Sequence, residues 1–196
     1  MRYLIIFAHP NTNSFNHAIK EVVENELTLS GKKFSSRDLY HMNFDPVLNL
    51  QDIDGAQHGV VLEDVEEEQG YIRSADVLIF IFPIWWGSMP AILKGYFDRV
   101  FSNTFAYYID KNGNISGLLK DKKAIVINTT AASQDEYTAN GMIYNMNKIL
   151  HDGLFDFCGI KLLEHQYLCG IHGTSATERE RILETIRVTV KTSMST

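Results

Sequence analysis

Three apolar runs of strand length constrain this chain more than any other feature of its sequence. They cover Leu4 to Ala8, Val77 to Phe82 and Ala124 to Asn128, and none of them alternates polar with apolar residues. Strands that are apolar on both faces are typical of a parallel sheet with helices packed on both sides. The runs therefore predict a parallel sheet at the centre of the fold.

The segments between these runs have the spacing of helices. A first helix is indicated by apolar residues on one face from Phe15 to Val23, and a second begins near Pro90. The remaining predicted elements are a weak strand near Phe34 to Leu39, a helix over Asn140 to Leu154, a fifth strand near Leu162 to Leu168 and a terminal helix from Thr177. Five strands alternating with helices predict a doubly wound α/β fold. The 196 residues suit one domain over 1–196.

One acidic segment interrupts this alternation. Residues 46–70 are rich in Asp, Glu, Gln and Gly and contain Glu66-Glu67-Glu68 near their end. They predict a long surface excursion leading into a helix with a solvated charged face. A specific cation site is the alternative.

Composition excludes several classes of partner. The 24 acidic and 18 basic side chains leave a net charge of −6, which repels a phosphate backbone, so no nucleic-acid partner is expected. Cys158 and Cys169 lack the spacing of a zinc site, so we expect no metal and two buried thiols in a reducing cytosol. No run approaches the roughly 20 apolar residues of a membrane span. The expectation is a cytoplasmic protein without membrane insertion.

In an open parallel sheet, ligands bind beyond the carboxyl ends of the strands. The loop after the first strand, His9 to Asn16, is rich in hydroxyl and amide groups and opens a helix. With Thr12 and Ser14 it predicts a phosphate site at the helix N-terminus, and an ordinary helix cap is the alternative. The loop lacks both G-x-G-x-x-G and the Walker lysine, which disfavours a dinucleotide-binding NAD domain or an NTPase.

The next two loops favour a planar ligand. Phe82 to Pro90 contains both tryptophans of the chain, Trp85 and Trp86. Two adjacent indoles in a surface loop predict a flat apolar wall for a ring system. The small side chains of Asn128 to Ser133 let backbone amides approach a ligand, although a plain connecting loop shows the same pattern. Together the three loops favour a flavin nucleotide.

Short motifs run through nearly the whole chain. They are Ala8-His9 with Thr12-x-Ser14-Phe15-Asn16, Asp38-Leu39-Tyr40-x-Met42-x-Phe44-x-Pro46, Phe82-Pro83-x-x-Trp86, Pro90-Ala91-Ile92-Leu93-Lys94-Gly95, Phe105-Ala106-Tyr107, Thr129-Thr130, Tyr137, Cys158-Gly159 and Arg179. In these motifs the chain resembles the NAD(P)H:quinone oxidoreductases of flavodoxin-like fold. The resemblance implies a five-stranded parallel sheet in the order 2-1-3-4-5. It also implies a flavin enzyme that oxidises NAD(P)H and reduces quinones, or azo and nitro compounds, by two-electron hydride transfer. Because an enclosed planar slot has room for one ring at a time, we expect the two substrates to enter in turn, with ping-pong kinetics.

The resemblance assigns individual residues as well. The implied cofactor is FAD, with FMN as the alternative and NAD(P)H as co-substrate. The implied cofactor-binding residues are His9, Thr12, Ser14, Phe15, Asn16, Pro83, Ile84, Trp85, Trp86, Gly87, Thr129, Thr130, Ala131, Ala132, Tyr137 and Arg179. Tyr137 matches the catalytic tyrosine of the family. The substrate pocket would contain Trp86, Ile143 and, from the partner subunit of a homodimer, the residue that matches Tyr107.

Two positions depart from the family pattern. Ala131-Ala132 replaces the usual Gly-Gly, so methyl groups narrow the approach to the flavin. Ile143 stands where mammalian members have a catalytic histidine. A Tyr–His proton relay is therefore not implied, and Tyr137 is left as a hydrogen-bond donor alone.

The oligomeric state and the class of function leave alternatives open. Thr104 to Tyr108 place three aromatic rings in five residues, a cluster more easily buried between subunits than left in water, although a local core contact is the alternative. A flavoprotein regulatory subunit of a potassium-efflux transporter is a second function. An electron-carrier flavodoxin is disfavoured, because its one-electron FMN site does not need two sheet-end tryptophans and a pocket tyrosine.

Overall fold

A five-stranded parallel sheet forms the centre of the computed structural model, which describes residues 1–194 apart from the side chain of Gln57. The strands are β1 (Arg2–Phe7), β2 (Lys33–Asp38), β3 (Val77–Pro83), β4 (Tyr107–Ile109), β5 (Ile115–Gly117), β6 (Lys123–Thr129) and β7 (Lys161–Leu168). The sheet has the order β2-β1-β3-β6-β7, and β4 and β5 form a separate antiparallel hairpin. The predicted parallel sheet is confirmed. The predicted order 2-1-3-4-5 becomes 2-1-3-6-7, because the hairpin was not predicted and lies between the third and fourth strands of the sheet.

Helices cover both faces of this sheet. They are α1 (Phe15–Leu29), α2 (Leu50–His58), α3 (Glu63–Ser74), α4 (Ala91–Val100), α5 (Gln134–Ala139), α6 (Met142–Asn147) and α7 (Ala176–Ser193), with a π-helix over Lys148–Asp156 and a 3₁₀ turn over Ile171–Gly173. The helix predicted over 140–154 is therefore two elements. It begins only after Gly141, whose φ of 73° is left-handed, and it widens into the π-helix.

Each face of the sheet has its own apolar core. On one face, Tyr3, Ile5 and Phe7 of β1 pack against α1 and α7. On the other face, Leu4 and Ile6 pack with residues of α3, α4 and the π-helix. All seven residues of β3 are buried, as a central strand covered on both sides requires.

The acidic segment is more ordered and more buried than the sequence predicted. It contains α2 and the start of α3, and its Asp52 accepts two hydrogen bonds from Arg99 of α4, from Nε and Nη2, at 3.1 Å each. Arg99 Nη1 also donates to Asp64 Oδ2 at 2.6 Å and to the Asp45 carbonyl at 2.9 Å. Arg99 is only 3 % exposed, so this network fixes the segment to α4. The predicted solvated face is wrong at Asp52.

Glu68 of α3 is a second buried carboxylate in that segment. It is 1 % exposed, accepts from Arg37 Nε of β2 at 2.8 Å, and accepts from the Tyr96 hydroxyl of α4 at 3.2 Å. Burial raises the pKa of Glu68, and the bond from Arg37 opposes that shift. These contacts join β2, α3 and α4 through a single side chain that the charge pattern had assigned to solvent.

Three expectations about composition can be compared with the described residues. No helix within 1–194 combines the length and apolar character needed to cross a membrane. Over the same range, no three His, Cys, Asp or Glu side chains are grouped as metal ligands would be. Cys158 is buried, and burial raises the pKa of its thiol to about 11. Cys169 is only half-buried, because it lies in the turn after β7, so the prediction of two buried thiols is corrected.

We predict that Arg99→Met destabilises the fold by about 3–5 kcal/mol, because the carboxylate of Asp52 would stay buried without its partner. Urea unfolding measures the change. The matched control is Arg187→Met, which removes an exposed partner of Glu184 and should cost less than about 0.5 kcal/mol. Equal losses in the two variants would show that the Arg99 network does not hold the acidic segment.

Candidate functional site

The carboxyl ends of β1, β3 and β6 meet at one edge of the sheet. Phe7 pairs with Ile81, and Pro83 pairs with Thr129, so the loops that follow these strands leave the sheet side by side. They enclose a cleft of about 370 Å³. Its lining residues are His9, Asn11, Asn13, Ser14, Phe15, Asn16, Pro83, Ile84, Trp85, Thr129, Thr130, Ala131, Ile171, His172 and Arg179. The structure thus brings most of the predicted cofactor-binding residues together.

The N-terminus of α1 opens into this cleft. Ser14 caps the helix, and its hydroxyl accepts a hydrogen bond from the His17 backbone N–H at 3.2 Å. The backbone N–H groups of Phe15 and Asn16 have no acceptor within residues 1–194. Free N–H groups and the helix dipole attract an anion. Thr12, also predicted here, is exposed in the loop and does not line the cleft.

Asn16 joins α1 to the end of β6. It is 4 % exposed, and its Nδ2 donates to the Thr129 hydroxyl at 2.7 Å. Its Oδ1 is buried without a hydrogen-bond partner in the described part of the chain. An unpaired buried acceptor costs about 1–3 kcal/mol. Because Asn16 lines the cleft, a ligand that carries an N–H or O–H group can satisfy it there.

The loop after β6 supplies further unpaired donors. The Thr130 backbone N–H donates to the Leu168 carbonyl at 3.0 Å, whereas those of Ala131 and Ala132 have no acceptor within residues 1–194. The Thr130 hydroxyl donates to the Ala132 carbonyl at 2.7 Å, which fixes the turn. Two free N–H groups beside the cleft can stabilise negative charge on a ligand.

His9 and Arg179 stand at the wall formed by the first loop and by α7. His9 Nδ1 accepts from the Asn11 backbone N–H at 3.0 Å, and its ring lies 5.8 Å from that of Trp85. Burial lowers the pKa of His9, so the ring is neutral at pH 7 and offers Nε2–H as a donor. The guanidinium of Arg179 lies 5.6 Å from the Phe15 ring and donates to Thr174 Oγ1 at 3.1 Å. Arg179 therefore brings positive charge to this wall.

The tryptophan loop forms a tight turn. Trp85 and Ser88 exchange two backbone hydrogen bonds of 2.9 and 3.0 Å, and the central residues Trp86 and Gly87 have φ values of 52° and 71°. Positive φ at both central positions is the pattern of a type I′ turn. The turn carries the indole of Trp86 into solvent, where it is fully exposed. Of this loop, only Ile84 and Trp85 line the cleft, together with Pro83 at the end of β3, whereas Trp86 and Gly87 do not.

Several other predicted residues lie outside the cleft. Tyr137 is half-buried in α5, just beyond Ala132. Tyr107 is in β4, and its ring packs edge-on against Phe157 with centroids 5.0 Å apart. Ile143 is half-buried in α6. Within one chain, the predicted catalytic tyrosine and these two predicted substrate-pocket residues therefore do not line the cleft.

Four lining residues were not predicted. Asn11 and Asn13 belong to the first loop, in which the sequence predicted only neighbouring residues as ligand contacts. Ile171 and His172 come from the 3₁₀ turn after β7. This turn follows the carboxyl end of the fifth strand of the sheet, where the general rule for parallel sheets also expects ligand contacts.

The fold and the cleft at its carboxyl edge define a flavodoxin-like α/β protein. A sequence profile of the Flavodoxin_2 family, described as having a flavodoxin-like fold, matches residues 1–191. The chain belongs to this family, which includes the NAD(P)H:quinone oxidoreductases.

Similar proteins from three other organisms carry related names. An uncharacterized NAD(P)H oxidoreductase of Haemophilus influenzae is 40 % identical over 94 % of this chain and 91 % of its own length. NAD(P)H dehydrogenase [quinone] 1 of Cavia porcellus is 37 % identical over 93 % of this chain and 73 % of its own. The solved structure of an NAD(P)H:quinone oxidoreductase from Methanothermobacter marburgensis superposes with a TM-score of 0.86 at 31 % identity, over 97 % of this chain and 95 % of that one.

We predict that Trp86→Asn stabilises the protein by about 0.5–1 kcal/mol. A left-handed backbone conformation costs a tryptophan about 1–2 kcal/mol, and asparagine adopts this conformation more readily. Because the Trp86 indole is fully exposed, its removal breaks no buried contact. Thermal or urea unfolding of the ligand-free protein measures the change. Trp85→Asn is the control and should destabilise, because the Trp85 ring packs beside His9. A destabilised Trp86→Asn variant would mean that the indole makes contacts that the turn geometry does not suggest.

Proposed function

We propose that the protein is a flavin-dependent NAD(P)H oxidoreductase that reduces quinones by two-electron transfer. The observation that carries this proposal is the convergence of three features on one cleft. Free backbone N–H groups at the start of α1 suit a phosphate, the wall of Ile84 and Trp85 suits a planar ring, and the N–H groups of Ala131 and Ala132 suit developing negative charge. Membership of a family with named quinone reductases supports the same reading.

The residues of the cleft fit a flavin nucleotide. The N-terminus of α1 with Ser14 would hold phosphate, and the unpaired Oδ1 of Asn16 would accept a hydrogen bond from the ligand. The cleft continues past this point to His172 and Arg179. We therefore propose FAD rather than FMN, because only the longer nucleotide would use that extension.

When bound, the flavin supplies hydride chemistry between NAD(P)H and the acceptor. The chain itself would hold the flavin with the donors of Ala131 and Ala132 near the charge that reduction creates, and such donors lower the barrier because the charge exists only after transfer. Tyr137, in the helix that follows these alanines, would be a further hydrogen-bond donor. The apolar wall would exclude water from the reacting rings. NAD(P)H and a quinone, or an azo or nitro compound, would occupy the same slot in turn, which is a ping-pong order.

We further propose a homodimer with its active sites at the interface. The β4–β5 hairpin exposes large apolar side chains, with Tyr108 46 %, Ile109 44 % and Ile115 50 % exposed. Such a surface is more easily buried against a second subunit than left in water. Tyr107 stands at the start of this hairpin, so a partner's copy would close the acceptor pocket. A cytoplasmic location, with both cysteines reduced, belongs to the same proposal.

The cofactor prediction is that the purified protein is yellow and carries one flavin per chain. Heat denaturation followed by chromatography of the supernatant should give FAD. Arg179→Ala should weaken FAD binding by about tenfold to a hundredfold, the range for a lost bond to a charged group, and should leave FMN binding unchanged. Arg181→Ala, exposed on the same helix, is the matched control. If the supernatant contained only FMN, the proposal of FAD as the cofactor would be wrong. No released flavin, with no protection by added FAD or FMN against heating, would overturn the function.

The dimer prediction is that light scattering at micromolar concentration gives the mass of two chains of 22.3 kDa each. Ile109→Asp should produce monomers, because it would bury a charge in the proposed interface. Val188→Asp, at a position on α7 that is 55 % exposed, should leave the dimer intact. A monomeric wild type with flavin bound would contradict the proposal.

A further inference from the structure

A chain of hydrogen bonds runs from the π-helix to the buried end of β6. His151 Nε2 lies 2.7 Å from His165 Nδ1, and His165 Nε2 lies 2.5 Å from Asn128 Oδ1. Asn128 is fully buried, whereas His151 is half-buried. The three side chains come from the π-helix, β7 and β6, and the proposed function uses none of them.

Each member of this series of hydrogen bonds donates toward the protein interior, from His151 to His165 and from His165 to Asn128. Asn128 Nδ2 donates to the Phe82 carbonyl at 3.3 Å, so Asn128 Oδ1 faces His165 and accepts. His165 Nε2 therefore carries a proton and its Nδ1 accepts from His151 Nε2–H. Burial lowers the pKa of His165 to about 3 and also lowers that of His151. Both rings are therefore neutral at pH 7, so each has one N–H to donate, and the acceptor Asn128 Oδ1 sets the direction.

Asn128 ends the chain at a small cavity beside the cleft. The cavity measures about 30 Å³, and its wall includes Ile84, Gly87, Met89 and Met146 besides Asn128. Ile84 lines both this cavity and the larger cleft. The Asn128 amide carries two hydrogens, and the Phe82 carbonyl takes one of them. The other is a donor in a mostly apolar wall, where an unpaired donor is costly.

The backbone that carries His151 is unusual. The π-helix extends over nine residues, and π-helical turns are rare and concentrate at functional sites. Ile149 and Leu150 of the same helix line the small cavity. One irregular element thus supplies both the outer member of the hydrogen-bond chain and part of the cavity wall.

We propose that His151, His165 and Asn128 form a donor chain for the carbonyl oxygen of a quinone-like acceptor. Asn128 would contact the oxygen, and the two histidines are positioning residues that orient and polarise its amide. A carbonyl oxygen gains negative charge as it is reduced, and a fixed N–H in an apolar wall stabilises that charge. The inference rests on the proposed function. It provides a donor in a protein whose Ile143 offers none.

The reaction balances without a further reagent. The quinone takes one hydride, which originates from NAD(P)H, and one proton from solvent, and becomes the hydroquinone. The donor chain holds the oxygen during this step and does not itself give up a proton.

The kinetic test compares two acceptors of different chemistry. With Asn128→Leu, kcat/KM for 2-methyl-1,4-naphthoquinone should fall about tenfold to a hundredfold, whereas turnover of ferricyanide, which has no carbonyl oxygen, should not change. His165→Leu should show the same selective loss. His165→Gln should restore most of it, because an amide can donate to Asn128 and accept from His151. His58→Gln, on the exposed end of α2, is the control histidine.

Two measurements do not depend on turnover. Nitrogen-15 NMR at pH 7 should show His151 and His165 as neutral Nε2–H tautomers, and 2-methyl-1,4-naphthoquinone should shift the side-chain amide protons of Asn128. Calorimetry should show weaker binding of the same quinone to Asn128→Leu. A His165 ring protonated on Nδ1, or equal quinone binding by wild type and Asn128→Leu, would overturn the proposed role of the donor chain. The Asn128 amide would then bind a buried water instead. A wild type that binds no quinone overturns the proposed function itself.

Discussion

The cleft at the carboxyl edge of the sheet depends on the parallel pairing of β3 with β1 on one side and with β6 on the other. Side chains alternate along a strand, so a slip of one residue would exchange the two faces of β6. Thr129 would then leave Asn16, and Asn128 would leave His165. The contacts of Thr129 and Asn128, which point to opposite faces of the sheet, are therefore both set by the same register. The large apolar side chains of both cores enforce that register, because a slipped β6 would turn its residues away from the helices they pack against.

Two arginines, the buried Arg99 and the half-buried Arg37, explain how an acidic segment can lie against an apolar core. Arg99 and Arg37 each bring a guanidinium to a buried carboxylate, and each satisfies several acceptors at once. A buried ion pair gives little net stability compared with apolar packing, but a broken one is costly. These pairs therefore specify where α2 and α3 sit. Helix α3 in turn packs on the face of the sheet that carries Leu4 and Ile6.

Local patterns in the sequence predicted what depends on neighbouring residues. The helix that begins after Ser14 and the two-sided burial of β3 follow from spacing and composition alone. The gathering of His9, Asn16 and Thr129 follows from one rule about parallel sheets. The position of Trp86 could not be predicted in this way, because a turn with two positive φ values decides it and the residues at those positions do not require that turn.

Longer-range contacts were beyond the same patterns. Glu68 reads as one of three exposed glutamates until Arg37 and Tyr96 are found beside it. His151 and His165 carry no motif, and a π-helix has no spacing that distinguishes it from an α-helix in sequence. Their contact depends on how the last strand meets that helix, which only the packed fold determines.

The distribution of the cleft along the chain has a consequence for synthesis. His9 and Arg179 line the same cleft from nearly opposite ends of the sequence, and α1 packs against α7. A ribosome releases the chain from its N-terminus at about 5–20 residues per second. The complete cleft therefore cannot exist until α7 has emerged. A nascent chain that has made every strand of the sheet still lacks the Arg179 side chain, so the cleft is completed later than the sheet that positions it.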